Sequence, residues 1–279
     1  MTLADPSPGA AVTTHPRRLH RRFPGARVLG NGAVLYWWAE VAFIGIFYFV
    51  YSTVRNLNQG GTAAARHHAM QIIDLQGYLG INVEHSLQHW ALGFEPLIIA
   101  CNYFYGSLHF VVTAGVLIYL YHKWRDDYPL WRNALAIATG VALIGFVFYP
   151  LMPPRLLPAH FGFVDTLAKD PAFWSFNSGG MQNVSNQYAA MPSVHIAWAA
   201  WCALALGPRL KNRTAATFAW CYPLITLVVI VITANHFILD AVAGLVILGI
   251  GWVAANRLTR AGRAPHASER TESPGDQVA

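Results

Sequence analysis

Residues 216–256 read ATFAWCYPLITLVVIVITANHFILDAVAGLVILGIGWVAAN. The stretch contains two long apolar runs, 216–233 and 237–256, and a short polar interruption that includes Asn235 and His236. A helix needs about 20 mostly apolar residues to cross a bilayer, and each run comes close to that length. The stretch therefore predicts two membrane-spanning helices joined by a tight turn that carries ionisable side chains.

The rest of the chain has the same character. It is 55% hydrophobic and only 11% charged, whereas soluble proteins carry about 25% charged residues. Four more apolar segments bring the predicted total to six, although the fourth in chain order is short and has a polar start. The predicted fold is all-α, a polytopic membrane protein built as a six-helix transmembrane bundle. The predicted spans are 34–54, 97–121, 133–150, 191–207, 216–233 and 237–256.

The Lys and Arg side chains are distributed unevenly among the loops. Of 19, five precede the first span, three lie between the second and third, three lie between the fourth and fifth, and four follow the sixth. Because basic residues near helix ends stay in the cytoplasm, both termini of this multi-pass cell-membrane protein are predicted to be cytoplasmic. The net charge of +6 then reflects the orientation of the helices in the membrane, and no nucleic-acid partner is expected.

The predicted organisation has three parts, which are a basic cytoplasmic segment 1–33, a membrane domain 34–258 that carries the site, and a disordered cytoplasmic tail 259–279. Between the first two spans, residues 55–96 have mixed polarity with apolar residues at near-helical spacing, which predicts one or two amphipathic helices on the membrane surface. Residues 151–190 form a long loop rich in Pro, Gly and Asn, expected to lie over the helix ends.

Ionisable side chains at the edge of a bilayer are costly and usually functional. Four of them fall at the same, outward-facing end of the predicted bundle. Arg155 follows the third span, His195 begins the fourth, and His236 and Asp240 begin the sixth. The sequence therefore predicts a polar site where three helix ends meet at the outer membrane boundary.

The types and spacing of these residues indicate phosphate chemistry. His236 and Asp240 are four residues apart, so a helix places them on one face, and a carboxylate that fixes one imidazole nitrogen prepares the other to attack an electrophile. His195 follows Pro192 and Ser193 in a predicted first turn, where backbone N–H groups attract phosphate.

Arg155 has a fork of donors suited to phosphate oxygens. Plainer interpretations exist for each group. The His236–Asp240 pair can be packing at a helix end, His195 can be an interfacial histidine without a partner, and Arg155 can be an anchor at the interface.

Three short motifs follow one another in the order PPRLLP at 153–158, MPSVH at 191–195 and HFILD at 236–240. Together they resemble the type-2 phosphatidic acid phosphatase superfamily, over roughly residues 96–256. Two cations usual in that family's phosphatases are missing, since Phe148 and Ile230 occupy their positions. This sparser pattern is more similar to the inositol phosphorylceramide synthase and sphingomyelin synthase branch.

The resemblance implies that His236 is the nucleophile of a phosphohistidine mechanism and that Asp240 orients it. It further implies that His195 protonates the leaving oxygen, and that Arg155 and Ser193 hold the phosphoryl oxygens. Neither a metal nor another cofactor is expected in this chemistry.

Other polar residues have weaker signals. Asn102, Tyr105 and His109 lie in the second span, where they line a headgroup pocket or make ordinary hydrogen bonds between helices. Glu84 and the i, i+4 pair His85 and His89 have metal-ligand chemistry, but with no further ligand in sequence they do not predict a metal site.

The leading functional hypothesis is an integral membrane phosphatase or phosphotransferase. Its expected partners are the bilayer, a phospholipid or a polyprenyl- or sphingolipid-type phosphate as substrate, and water or an alcohol as acceptor. The main alternative is a non-enzymatic transporter or binding protein for a lipid or phosphate compound. A haloperoxidase sharing the same motif logic fits less well, because it suits a soluble, more cationic site. The substrate, the choice between water and alcohol, and the oligomeric state stay open at this stage.

Overall fold

The computed structural model describes residues 26–30, 33–57, 61–169 and 186–261. Helices dominate this part of the chain, and a short antiparallel pair, β1 (Arg27–Val28) and β2 (Val34–Leu35), precedes them. The α-helices are α1 Trp37–Leu57, α2 Thr62–Leu79, α3 Glu84–Ala91, α4 Glu95–Tyr103, α5 His109–Lys123, α6 Tyr128–Phe148, α7 Thr166–Lys169, α8 Val194–Leu206, α9 Arg213–Ile232 and α10 Ile238–Ala261. A π-helical turn, Phe104–Leu108, joins α4 to α5, and 3₁₀ turns occupy Pro154–Leu156, Ala159–Phe161 and Gly207–Arg209.

The chain forms two compact units, residues 1–44 and 45–279. The strand pair belongs to the first unit, and the side chains discussed below belong to the second. Helix α10 continues to Ala261, so the predicted tail 259–279 begins later than expected. The remaining tail and most of the predicted segment 1–33 lie outside the described residues.

In the described part of the chain, five helical segments are long and apolar enough to cross a membrane, which confirms the helical membrane class. They are Trp37–Arg55, Glu95–Lys123, Tyr128–Phe148, Arg213–Ile232 and Ile238–Arg260. Six spans are not confirmed, because the predicted fourth span contains the 13-residue helix α8. At about 1.5 Å per residue this helix is roughly 20 Å long, which is shorter than the hydrocarbon core of about 30 Å.

Helix α8 nevertheless runs back along α6. The indole N–H of Trp198 donates to Thr139 Oγ1 at 2.9 Å near the start of α8. Beyond its end, Arg209 Nη2 donates to Asp127 Oδ2 at 2.5 Å, just before α6 begins. The two helices are therefore antiparallel, and the 3₁₀ turn after α8 completes the return to the end of the bundle opposite His195.

Small residues bring α8 close to its neighbours, as is common where membrane helices pack. A Cβ atom added at Gly244 of α10 would overlap the Ser193 carbonyl oxygen, and one added at Gly145 of α6 would overlap Pro192 Cδ. The start of α8 is therefore held between α6 and α10, which fixes the position of His195.

Gly244→Ala is expected to destabilise the protein by about 1–3 kcal/mol, because the new methyl group overlaps a backbone oxygen that cannot swing aside. Gly249→Ala in the same helix is the matched control, since nothing lies within 4 Å of a Cβ at that position. Thermal unfolding in detergent measures both variants. Equal losses at the two positions would contradict the close approach of α10 to α8.

Two helices, α2 and α3, form within the segment 55–96, and α2 is amphipathic. Its buried stripe consists of Ala65, Ala69, Ile72 and Gln76, and the apolar members pack in the core cluster with Leu151, Met152 and Phe237. Other apolar residues stay exposed, among them Tyr78 at 89%. These helices thus brace the segment around His236, and their placement on the membrane surface stays a prediction.

Candidate functional site

The turn between α9 and α10 positions the predicted nucleophile. Helix α9 ends at Ile232 and α10 begins at Ile238, so His236 precedes the last helix instead of lying within it. Ala234 in this turn has a φ of 53°, a left-handed conformation that is uncommon for residues other than glycine. Asn235 Nδ2 donates to Thr233 Oγ1 at 2.8 Å, which helps to hold the turn. Strained backbone of this kind concentrates at functional sites.

His236 and Asp240 form the pair that their spacing predicts. His236 Nδ1 lies 3.3 Å from Asp240 Oδ2, and the Phe237 backbone N–H donates to the same oxygen at 2.9 Å. The carboxylate therefore favours a proton on Nδ1, which leaves a lone pair on Nε2. That nitrogen is buried and has no hydrogen-bond partner within the described ranges. His236 lines a cavity of about 200 Å³.

His195 lies in the first turn of α8 and lines the same cavity. Its ring centroid lies 5.5 Å from that of His236, 4.3 Å from that of Tyr105 and 4.4 Å from that of His109. Tyr105 belongs to the π-helical turn, a distortion often found at functional sites. The structure thus brings the two predicted catalytic rings together and sets His195 between two aromatic neighbours.

Arg155 is bound to the turn that carries His236. Its backbone N–H donates to the Ala234 carbonyl at 2.9 Å, and its Nε donates to Asn235 Oδ1 at 3.0 Å. Its Nη1 donates to Asp165 Oδ2 at 2.7 Å, which neutralises the guanidinium charge. Arg155 lines the cavity, but it does so as one half of an ion pair. Neither Asp165 nor Asn235 was predicted from the sequence to be its partner.

Ser193 differs from its predicted role. Its backbone N–H donates to the Asp240 carbonyl at 2.9 Å, so it is not available to a phosphate. The side chain is fully buried and does not line the cavity, whereas Val194 and His195 do. The first N–H groups of a helix lack partners within it, and the two residues that begin α8, Val194 and His195, both line the cavity.

The three polar residues predicted in the second span separate into two groups. Tyr105 and His109 line the cavity. Asn102 does not line the cavity. Its Nδ2 donates to the Thr166 carbonyl at 3.2 Å, and its Oδ1 accepts from the Thr166 hydroxyl group at 3.0 Å. For Asn102, ordinary hydrogen bonding between elements is therefore what the structure shows.

A buried polar pair from α2 and α3 caps the start of α10. Gln76 Nε2 donates to Glu84 Oε1 at 2.5 Å, and both side chains are fully buried. Glu84 Oε1 also accepts from the Ile238 N–H at 2.9 Å, and Gln76 Oε1 accepts from the Leu239 N–H at 3.0 Å. The N-terminus of α10 is therefore capped by the protein, so α8 is the helix whose N-terminus faces the cavity.

Gln76 and Glu84 were not predicted from the sequence to support the site. The available signal was that Gln76 continues the helical stripe formed by Ala65, Ala69 and Ile72. A polar residue on a buried stripe needs a partner.

No group of three or more His, Cys, Asp or Glu side chains in the described part of the chain is placed to hold a metal ion.

A family model described as the PAP2 superfamily matches residues 70–254. The match includes Arg155, His195, His236 and Asp240 and extends from α2 into α10. No curated protein and no solved structure matches the chain. The ordered motifs and a family match that covers most of the sequence lead to one conclusion, which is that this chain belongs to the PAP2 superfamily.

Proposed function

We propose that this protein is an integral membrane lipid-phosphate phosphatase or phosphotransferase that acts through a phosphohistidine on His236. Members of the PAP2 superfamily are generally phosphatases or phosphotransferases, and membership supports phosphatase-type activity on lipid phosphates. The observation that carries the proposal is that Nε2 of His236 has no hydrogen-bond partner among the described residues. The side chain lines a cavity shared with His195 and Arg155.

In the first step, His236 Nε2 attacks phosphorus, and an N–P bond forms as the P–O bond to the lipid breaks. His195 donates a proton to the departing oxygen. Asp240 stabilises the positive charge that develops on the imidazole of His236 by accepting from Nδ1. Arg155 and the N–H groups at the start of α8 stabilise the charge on the equatorial phosphoryl oxygens.

In the second step, water or an alcohol attacks the phosphohistidine. His195 accepts the proton of the attacking hydroxyl group as the new O–P bond forms and the N–P bond breaks, which returns His236 to its starting state. Water gives free phosphate, and an alcohol gives a new phosphate ester. The phosphatase and the transferase therefore share every protein group and differ only in the acceptor.

The distance between the two imidazoles constrains the position of the phosphoryl group. A reacting phosphorus lies about 3–3.5 Å from the attacking nitrogen, and the leaving oxygen adds a hydrogen bond of about 2.6–3.2 Å to the acid. The ring centroids are only 5.5 Å apart. We therefore place the phosphoryl group on the cavity side of both rings and not between their faces.

The size of the cavity limits how much of the lipid enters it. At about 200 Å³ it is smaller than the roughly 300–1,000 Å³ of pockets that enclose a drug-sized ligand. A phosphorylated headgroup fits such a volume, while the hydrocarbon chains stay in the bilayer. This supports a phospholipid or a polyprenyl- or sphingolipid-type phosphate as the substrate class.

Purified protein incubated with lipids labelled in the phosphoryl group, with and without inositol or another polyol, tests the proposal. We expect label in free phosphate if water is the acceptor and label in a new lipid or polyol ester if an alcohol is. A protein that moves no label from any of these lipids, while remaining folded in the membrane, would contradict the enzymatic proposal.

The distribution of Lys and Arg supports a cell-membrane protein with both termini in the cytoplasm and the site facing outside. An epitope tag on either terminus is then expected to react with antibody only after the membrane is permeabilised. A cysteine introduced at His160, which is exposed in the loop that follows Arg155, is expected to react with an impermeant reagent on intact cells. The reverse labelling pattern would overturn the orientation.

A further inference from the structure

One face of α1 forms a wall of the cavity. Tyr48, Tyr51 and Arg55 are spaced by three and four residues, so they lie on one side of the helix, and all three line the cavity that contains His236. Helix α1 precedes the residues 70–254 that match the family model. This wall is therefore built by a part of the chain that the family match does not include.

Within the described ranges, Arg55 is anchored through its backbone, and its guanidinium has no counter-ion. Asn186 Nδ2 donates to the Arg55 carbonyl at 3.0 Å, and Arg55 Nη2 makes a long contact of 3.5 Å with the Asn186 carbonyl. No carboxylate pairs with Arg55 among the residues for which positions are described. Arg155 differs, because Asp165 already balances its charge.

The position of Arg55 favours an anionic partner. Arg55 stands at the end of a membrane-spanning segment, where a charged group is costly unless something pairs with it. Its planar guanidinium group can donate two parallel hydrogen bonds to the oxygens of a phosphate or carboxylate. An acidic group on the bound ligand would supply both the missing charge and the missing acceptors.

We propose that Arg55 forms a second anion subsite, which binds an acidic group of the headgroup other than the phosphoryl group that is transferred. Two separate positions are indicated because the two arginines are anchored differently. The side chain of Arg155 is bonded to Asn235, the residue next to His236. Arg55 instead belongs to α1, where its backbone carbonyl accepts from Asn186 and where Tyr48 and Tyr51 line the same cavity. The substrate class is then a lipid whose headgroup carries two acidic groups, and this assignment rests on the proposed function.

Equilibrium binding of two small phosphonates to the purified protein tests the subsite. Methylphosphonate has one acidic group, and methylenediphosphonate has two. Arg55→Gln is expected to weaken binding of the diphosphonate by about tenfold or more while changing that of methylphosphonate by less than about twofold. Arg155→Gln is expected to weaken both. Arg66→Gln is the matched control, because Arg66 is exposed and does not line the cavity.

Arg55→Lys is a second variant, which keeps the positive charge but lacks the paired N–H donors of the guanidinium group. It is expected to bind the diphosphonate with intermediate affinity. Equal weakening of both phosphonates by Arg55→Gln would show that the two arginines share one phosphate, and this would overturn the second subsite. Unchanged binding of both, or a wild-type protein that binds no diphosphonate, would also overturn it. These measurements need no turnover, so they stay informative even if His236 proves not to be the nucleophile.

Discussion

His236→Ala is expected to lower turnover of a lipid phosphate by about 10⁴-fold or more, because loss of the nucleophile removes the covalent route altogether. The side chain is 3% exposed and makes its hydrogen bond through Nδ1 to Asp240. Removing it leaves the helix caps at Gln76 and Glu84 in place. The measurement is release of labelled phosphate or ester from a detergent-solubilised lipid substrate.

His89→Ala is the matched control for this variant. His89 is also close to another imidazole, with its ring centroid 6.1 Å from that of His85, but it is exposed and does not line the cavity. Its replacement is expected to leave turnover within about twofold, as is usual for surface substitutions. Substantial turnover by the His236 variant would remove the nucleophile assignment.

A phosphoryl-enzyme intermediate gives an independent measurement. Rapid quenching of the wild-type protein with labelled substrate in alkali is expected to leave label on the protein, since an N–P bond survives base and is cleaved by acid. The His236 variant is expected to retain no such label. If binding or flux of the lipid survives His195→Gln and His236→Gln together, while no label is trapped in the wild type, the protein is a transporter or binding protein instead.

Glu84→Ala is expected to lower kcat by about 10²-fold with a much smaller change in KM. Glu84 does not line the cavity, but its carboxylate accepts from the Ile238 N–H at 2.9 Å and from the Gln76 amide. Without it, both donors are left unpaired in a buried position, and the start of α10 shifts. A displacement of about 1 Å at a reacting group costs roughly this factor in rate. Steady-state kinetics on a labelled lipid measure the effect.

Glu84→Gln separates the hydrogen bonds of this residue from its charge. Glutamine keeps an acceptor oxygen where Glu84 Oε1 accepts both bonds, and its amide nitrogen replaces Oε2, which has no partner in the described structure. We expect kcat within about fivefold of the wild type, because the hydrogen bonds that fix the helix start are retained. Equal loss in the Ala and Gln variants would show that the charge, and not the cap, is what the site needs.

The sequence predicted the residues whose chemistry is encoded locally. The apolar lengths of the spans follow from the thickness of the bilayer. The short separation of His236 and Asp240 keeps them within reach of each other, and they lie 3.3 Å apart although His236 precedes the helix. The convergence of His195 and His236 follows from topology, because successive antiparallel helices return the chain to the same end of the bundle. These parts require only the order of the spans and the positions of residues at their ends.

The remaining features depend on contacts between distant segments, which spacing does not reveal. Asp165 and Asn235 are partners of Arg155 in the folded chain, and no spacing in the sequence indicates these contacts. Helix α8 is shorter than the span predicted from hydropathy. It ends at Leu206, and a 3₁₀ turn continues the path of the chain to Arg209. The backbone N–H of Ser193, expected from the sequence to meet phosphate, is bonded instead to the carbonyl of Asp240, 47 positions away in the sequence.

The cap that joins α2 and α3 to α10 couples the position of α2 to that of the turn that carries His236. Tyr78 and Leu79 present exposed apolar surface at the end of α2, and Gln76 on the same helix holds the segment that begins two residues after His236. With α2 at the membrane surface, as the sequence predicts, we expect lateral pressure in the headgroup layer to reach His236 through this cap. Turnover in vesicles whose curvature stress is varied at constant substrate density is then expected to follow that pressure.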